Sequence, residues 1–442
     1  MEPPVNRRRP TAPAPAGPDA CQSTTPRPPV VGLICPINLT TVTSRPLHAV
    51  QFPPSAGERM LAALAAALDG TGPAILPLAA DLPPAALERI LAAFRPELVQ
   101  TLSGKVRYAG PGAAGGEPAG LAPDCAVVIA TSGSTGVPKG VELSAAALTA
   151  SAAASLRRIG AGPGDRWLCC LPTSHISGIG VLVRSLITGT DPVIVSTAGS
   201  DVLAASKCSH VSLVPTQLRR LLDEGASPGR VATVLLGGAA AADGLLAEAR
   251  ASGWHVVTTY GMTETCGGCV YDGVPLDGVR VRTQPGSGRI EISGPVLFSG
   301  YLGQPELTGA ALRDGWFTTS DLGHCQPDGR IVVRGRADDV INTGGEKVVP
   351  GEVEAVLGTV EGVADVVVVG VPDAEWGEAV TAFVVPADPA APPELGRVKS
   401  EVYTALSAHA APKRLVFVSE FPLLPSGKPD RAALRRIGAG RA

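Results

Sequence analysis

The sequence predicts an α/β fold: a large N-terminal domain of parallel sheets covered by helices, a small β-subdomain, and a small C-terminal α+β domain. Three observations carry this. From Gly57 to Tyr260, short apolar runs of strand length alternate with helical stretches, as in parallel sheets covered on both faces. After Gly278 the segments become short, polar-alternating and turn-rich, as in a small antiparallel sheet. Beyond Arg336, residues 337–442 are long enough for a further small domain.

The elements follow in order. Arg59 to Leu68 reads as a helix ended by Asp69-Gly70, Ala74 to Leu78 as a strand, and Leu87 to Phe94 as a second helix. Cys125 to Thr131 is an apolar run of buried-strand length, and Ser144 is placed to cap a helix from Ala145 to Ile159. Trp167 to Leu171 reads as a strand and Gly178 to Ile187 as a helix. His210 to Val214, Val231 to Leu236 and His255 to Tyr260 follow as strands with helical stretches between them. Val279 to Arg282, Gly288 to Ser293 and Gly329 to Arg334 make the antiparallel unit. In the last unit come helix Glu352 to Leu357, strands Ala364 to Val371 and Val380 to Val385, helix Glu394 to Ala408 and strand Arg414 to Val418. The resulting division is a tail over 1–45, a large domain over 46–336 and a small one over 337–442.

Composition excludes several classes. Of 442 residues, 45% are hydrophobic and 17% charged, which suits a globular chain. With 37 basic against 40 acidic residues, nothing points to nucleic acid or an anionic membrane surface. No apolar run reaches the roughly 18 residues a membrane helix needs. Nine cysteines, an odd number in a long chain, argue for a reducing, cytoplasmic setting over a disulfide framework. The first thirty residues hold nine prolines and the run Arg7-Arg8-Arg9, the composition of a disordered tail. Pro10 to Pro18 is the opposite of the apolar stretch a secretory signal needs.

The strongest chemical motif is Thr131-Ser132-Gly133-Ser134-Thr135-Gly136-Val137-Pro138-Lys139-Gly140, directly after a buried strand and read as lying between that strand and a helix. Glycines let the backbone approach an anion, successive N–H groups cradle phosphate oxygens, and Lys139 adds a positive charge. Pro138 stands where the Walker pattern has glycine, so this is not that motif. Cys266-Gly267-Gly268-Cys269 has redox or zinc spacing, but no second Cys or His pair stands near it, so no such role is expected. A Ser/Gly loop that only links elements is the alternative for residues 131–140.

The loop resembles the phosphate-binding signature of the adenylate-forming superfamily, which includes acyl-CoA ligases, peptide-synthetase adenylation domains and luciferases. Further signatures of that family follow in its order. The resemblance implies that in Tyr260-Gly261-Met262-Thr263-Glu264-Thr265 the aromatic stacks on adenine, Thr263 touches the α-phosphate and Glu264 holds Mg²⁺. Gly237-Gly238-Ala239 resembles the adenine-contacting turn. Trp316-Phe317-Thr318-Thr319-Ser320-Asp321 resembles the segment whose aspartate binds the ribose hydroxyls, with Ser320 in place of the usual glycine. Gly335-Arg336-Ala337-Asp338-Asp339 resembles the domain boundary, with Arg336 reaching ribose or phosphate and Asp338 as hinge. Leu424-Pro425-Ser426-Gly427-Lys428-Pro429 resembles the loop of the catalytic lysine. Gly344-Gly345-Glu346 resembles the turn that lines the pantetheine channel. The resemblance covers about residues 125–430 and implies ATP, Mg²⁺ and CoA as cofactors and a small carboxylic acid as substrate. It implies two steps, adenylate formation and then thioester formation, with the small domain mobile about Asp338.

Leu171-Pro172-Thr173-Ser174-His175-Ile176-Ser177-Gly178 puts His175 at the acyl-site position of that family. Arg184 follows nine residues later in an otherwise apolar helical stretch. A buried arginine needs an anionic partner; the alternatives are a solvent-facing side chain or an acidic neighbour within the protein. The run from His175 to Leu186, with Val214-Pro215-Thr216-Gln217-Leu218 later, resembles the o-succinylbenzoate–CoA ligases of menaquinone biosynthesis, and the short N-terminal region resembles their actinobacterial members. Their substrate is a dicarboxylate, which makes Arg184 the candidate for the second carboxylate. Thr216, Gln217, Gly267 and Gly268 are expected at the same pocket. The trimmed N-terminal region leaves a homodimer open. Another acyl- or aryl-CoA ligase, a carrier-loading adenylation enzyme and a non-enzymatic nucleotide binder are the other readings.

Overall fold

Residues 45–108, 120–131, 138–424 and 427–440 are described in the computed structural model. The Pro/Arg-rich tail up to residue 44 and, in the phosphate loop, Ser132, Gly133, Ser134, Thr135 and Gly136 lie outside the described residues. Arg45, at the tail's end, is buried, and its guanidinium donates to the carbonyls of Ala67 and Cys125, each at 2.7 Å, and of Gly72.

Two seven-stranded sheets form the large part of the molecule. In the first, the strands Leu47–Gln51, Ala74–Leu78, Leu98–Thr101 and Cys125–Thr131 run parallel. Antiparallel strands flank them: Gly104–Arg107 at one edge, Lys139–Ser144 and Gly300–Tyr301 at the other. In the second, Val193–Ile194, Trp167–Cys169, His210–Leu213, Thr233–Leu236 and Val256–Met262 are parallel. Gly267–Tyr271 and Val274–Pro275 then turn back antiparallel. The sheets are thus parallel at their centres and mixed at their edges.

Helices Ala145–Ile159 and Ile176–Thr188 lie between these sheets. One apolar cluster joins Val50, Ile75 and Val127 of the first sheet to Trp167, Leu235 and Val257 of the second through Leu148, Ile179 and Leu182 of the two helices. The second sheet's outer face is covered by Leu203, Leu218, Leu221, Leu245 and Leu246.

The antiparallel unit contains Arg280–Thr283, Arg289–Ser293, Trp316–Cys325 and Ile331–Arg336. The small C-terminal part is a five-stranded sheet with helices Pro350–Leu357, Leu395–Ala405 and Arg431–Ala439, and its apolar clusters lie on both sides of that sheet. Among the described residues no helix is long and apolar enough to cross a membrane.

Strands Ala74–Leu78 and Cys125–Thr131 and helix Ala145–Ile159 match the sequence reading end to end. One reading needs correction. The phosphate loop does not connect a strand to a helix; it joins the antiparallel neighbours Cys125–Thr131 and Lys139–Ser144. Val141 and Leu143 are wholly buried, and that alternation extends the sheet before the helix begins. Ser144 ends this strand and caps the helix, its Oγ accepting from the N–H of Ala147 at 3.1 Å. Ser144→Ala should remove about 1 kcal/mol of stability, read as a lower urea midpoint at unchanged slope. An unchanged midpoint would mean the cap carries no weight.

Candidate active site

The motifs converge where the second sheet's strands end. The Val256–Met262 strand delivers Tyr260, and a 3₁₀ turn, Thr263–Thr265, follows at once. Thr265 is fully buried and fastens the turn, its Oγ1 accepting from the Met262 N–H at 2.9 Å and donating to the Gly267 carbonyl at 2.7 Å. Gly261 has to be glycine, since a Cβ there would lie 2.0 Å from the same Gly267 carbonyl oxygen. Gly237, in the adjacent turn, faces the Thr259 hydroxyl in the same way, at 2.3 Å. Ala239 is half-buried just beyond it.

Asp321 reaches the cluster from the Trp316–Cys325 strand. Its backbone N–H donates to Thr319 Oγ1 at 3.0 Å, and its Oδ2 accepts from the Tyr260 hydroxyl at 2.8 Å. Burial first, and then the Asp321 charge, hold the Tyr260 phenol well above its ordinary value, so it remains a donor. Arg336 Nη1 lies 3.5 Å from Asp321 Oδ1, while its Nη2 donates to Asp338 at 3.0 Å. Burial opposes the Arg336 charge, but Asp321, Asp338 and Asp339 outweigh it and raise its pKa.

Glu264 Oε1 accepts from the Tyr301 hydroxyl at 3.0 Å, and the Lys139 ammonium lies 5.6 Å from the centre of the Tyr301 ring. No motif or periodicity in the sequence marks Tyr301. Its strand is two residues long and gains meaning only by pairing with Val141 and Glu142. Thr131 and Lys139 face each other at the mouth of the phosphate loop, where the Thr131 hydroxyl donates to the Lys139 carbonyl at 3.3 Å. Thr263 and Met262 are half-buried beside Glu264.

Lys428 comes from the far end of the chain. Its ammonium is lowered by burial and then by Arg336, with Asp321 and Glu264 opposing. A Cβ on the preceding Gly427 would lie 3.1 Å from Val214, so the lysine loop seats against the second sheet. His175, at the N-terminus of the Ile176–Thr188 helix, is lowered by burial and then by the charge of Lys428. Lysine, histidine, two carboxylates and an arginine therefore share one site.

Nine of the thirteen residues of the Ile176–Thr188 helix are buried, Arg184 among them at 9% exposure. The solvent-facing alternative is thereby overturned, because the helix has no wet face at that position. No ion pair holds Arg184 among the described residues; its Nη2 donates to Ser212 Oγ at 3.0 Å and its Nε is buried without a partner. Burial lowers its pKa, as expected of a cation without a counter-charge.

Other expected residues divide. Thr216 is half-buried in the first turn of helix Pro215–Asp223. Gln217 is occupied by backbone: Oε1 accepts from Val214 N–H at 3.1 Å and Nε2 donates to the Cys170 carbonyl at 3.2 Å. Around Gly267 there is room, since a Cβ at that position would find its nearest neighbour on Ile176, at 3.9 Å. Gly268 is glycine because Tyr271 and Thr259 occupy its side-chain space, at 3.0 and 3.1 Å. The Gly344-Gly345 turn is exposed on the small sheet, the Gly344 N–H donating to the Trp376 carbonyl at 2.8 Å. Cys266 and Cys269 are buried, and burial pushes the Cys269 thiol up to about 12, where it is unreactive near neutrality.

Residues 54–302 match the family described as AMP-binding enzyme, and residues 352–428 match the AMP-binding enzyme C-terminal domain. The chain belongs to the AMP-binding enzyme family. Among its relatives is a probable 2-succinylbenzoate–CoA ligase of Mycobacterium tuberculosis, 46% identical over 333 residues, covering 72% of this chain and 86% of the relative. The 2-succinylbenzoate–CoA ligase of Bacillus pumilus is 35% identical, covering 71% and 69%. Among solved AMP-binding enzymes, o-succinylbenzoate CoA synthetase (MenE) from Bacillus subtilis, in complex with the acyl-adenylate intermediate OSB-AMP, has a TM-score of 0.73 at 27% identity and 89% coverage of both chains. ATP-bound MatB from Rhodopseudomonas palustris has a TM-score of 0.77 at 26% identity and 90% coverage of both.

The seating of Lys428 can be tested without turnover. Lys428→Met removes one of the two influences that depress His175, so the His175 pKa should rise. NMR titration of the imidazole signals, with His175→Gln for assignment, reads it. An unmoved His175 would place the lysine elsewhere.

Proposed function

We propose that this chain is an ATP-dependent acid–CoA ligase that converts 2-succinylbenzoate to its CoA thioester, the activation step that serves menaquinone biosynthesis. The reaction class rests above all on one observation: Lys428 of the small C-terminal part is brought within charge range of Asp321, Arg336, Glu264 and His175, of which Asp321 is buried. The acid rests on the uncompensated Arg184 and on the names of the relatives.

In the first step a carboxylate oxygen of the acid attacks the α-phosphorus of ATP, and the bond to pyrophosphate breaks. Asp321 would accept from the ribose hydroxyls, its orientation fixed by Tyr260 and Thr319. Tyr260 and the Gly237-Gly238-Ala239 turn would flank adenine, and Arg336 would reach ribose or phosphate. Thr263 would meet the α-phosphate, and the loop from Thr131 to Lys139 would hold the phosphates beyond it. Lys428 would neutralise charge on the reacting oxygens, an electrostatic role. His175, neutral near physiological pH, lines the acid's site as a hydrogen-bonding group and not as a second cation.

The donor set suits Mg²⁺ arriving with ATP. Among the described residues there is no group of three or more His, Cys, Asp or Glu side chains that could hold a metal. Glu264 therefore offers a single carboxylate, and Mg²⁺ shares such a ligand with phosphate oxygens and water. Bound there, the ion would neutralise phosphate charge.

In the second step the thiol sulfur of CoA attacks the acyl carbon and AMP leaves. Gly344 and Gly345 would border the thiol's path. We place the boundary between the two domains after Arg336, with Asp338 as the hinge that exchanges Lys428 for this turn.

Three variants separate these roles. Lys428→Ala should slow adenylate formation by roughly 10²–10³-fold while leaving thioester formation from supplied adenylate largely intact; equal loss in both sinks the assignment. Gly345→Leu should do the reverse by blocking the thiol. Arg184→Met should raise KM for 2-succinylbenzoate about 10- to 100-fold, the loss of a charge-assisted contact. Pyrophosphate release with ATP, Mg²⁺ and a panel of acids, with mass detection of the CoA product, reads all three. Turnover of simple aryl or fatty acids, indifferent to Arg184, would keep the reaction and discard the substrate.

A further inference from the structure

Arg184 is held by neutral groups alone. Trp167 and His210 are register neighbours on adjacent parallel strands, and Ser212 is two residues beyond His210 on the same face. Helix Ile176–Thr188 lays Arg184 onto that face. The guanidinium carbon sits 4.4 Å from the centre of the Trp167 ring, and Nη2 donates to Ser212 Oγ at 3.0 Å. Trp167 itself stacks on His210, with ring centroids 4.9 Å apart and planes 30° apart.

The carboxylate of this neighbourhood, Asp165, is turned away. Its Oδ1 accepts from Ser209 Oγ at 3.0 Å and its Oδ2 from the Gly162 N–H at 2.9 Å. Ser209 Oγ also meets His210 Nδ1 at 2.9 Å. Asp165 is thus engaged by Ser209 and a backbone amide, lies 3.9 Å from His210 Nδ1, and forms no ion pair with Arg184. An acidic clamp on Arg184 would fix the side chain equally well, but it would cancel the charge and repel an incoming carboxylate. An indole face and a hydroxyl fix it without doing either. A cation over an aromatic ring is held more strongly when water is excluded, and Trp167 is wholly buried.

We infer that Trp167 and Ser212 are positioning residues that set the enzyme's preference for a dicarboxylate, by holding the Arg184 guanidinium in place with its charge free for the acid's second carboxylate. This rests on the reading that Arg184 receives that carboxylate, so the experiment tests the two separately.

Adenylate formation is measured by pyrophosphate release from the full chain. The acids are 2-succinylbenzoate and two counterparts that each lack one carboxyl, 3-benzoylpropionate and 2-butyrylbenzoate. Arg184→Met tests the underlying reading; if the wild type's preference for the dicarboxylate survives it, that reading fails. Given its loss in Arg184→Met, Trp167→Leu should lower the preference about 10-fold through KM, with kcat near that of the wild type, because the ring that held the cation is gone. Trp167→Phe, which restores an aromatic face, should recover most of it. Ser212→Ala should lower it by about 3- to 10-fold, and it carries the test if thermal melting shows that Trp167→Leu fails to fold. A merely structural role predicts a lower melting temperature with all acids affected alike; an unchanged preference in Trp167→Leu or, if that fails to fold, in Ser212→Ala overturns the proposal.

Discussion

An ammonium group set beside another cation needs carboxylates near it, and this site depends on placing one there. Lys428 can occupy the cluster because Asp321 and Glu264 offset its charge, while burial and Arg336 act against it. Both carboxylates have partners of their own. Asp321 is also engaged by Tyr260 and Arg336, and Glu264 by Tyr301. The carboxylates are therefore fixed by the large part of the molecule before the lysine arrives. Lys428, Arg336 and Lys139 bring positive charge to the same site, as suits a polyphosphate.

Much of this is legible in the sequence because it is local. The Cys125–Thr131 strand, the Ser144 cap and the Ala145–Ile159 helix are written in consecutive residues, and the structure returns them with little change. What was not legible depends on pairing across the chain. Lys139–Ser144 is a strand because Cys125–Thr131 lies beside it, and Trp316–Cys325 is one long strand because Ile331–Arg336 and Arg289–Ser293 flank it. Tyr301 is brought to Glu264 by a two-residue strand on an edge 37 positions away. No periodicity marks such a residue. Gln217 shows the same dependence: its amide spans from the helix start at Val214 to the Cys170 carbonyl, a contact across the chain.

Arg184 shows where sequence and structure need each other. In the sequence it is one arginine in an apolar stretch, and three fates were open. Burial on nearly all sides of its helix removes the solvent-facing one, and no acid among the described residues forms an ion pair with it, Asp165 being engaged by Ser209 and a backbone amide. A charged group so placed is costly unless something outside the chain compensates it. The fold accepts that cost within a helix that is otherwise among the most apolar parts of the core.

The same reasoning applies to the loop that carries Lys428. Asp430 caps the final helix, its Oδ1 accepting from Ala433 N–H at 2.9 Å, and Arg431 follows immediately. Arg431 Nη2 donates to both oxygens of Glu354, at 2.7 and 3.0 Å, and its Nη1 donates to the Val368 carbonyl at 2.6 Å. Burial pushes the Glu354 carboxyl up, and the charge of Arg431 works against that. Arg431 and Arg435 also lie 3.7 and 3.5 Å from Asp339, beside the proposed hinge residue Asp338. A half-buried pair of this kind is weak evidence for added stability, but removing one partner leaves a poorly compensated charge. It therefore resists partial breakage. The lysine loop is tied by charge to the helix Pro350–Leu357 and to the segment that follows Arg336, so a rotation at that segment would carry Lys428 with it and not leave the loop behind.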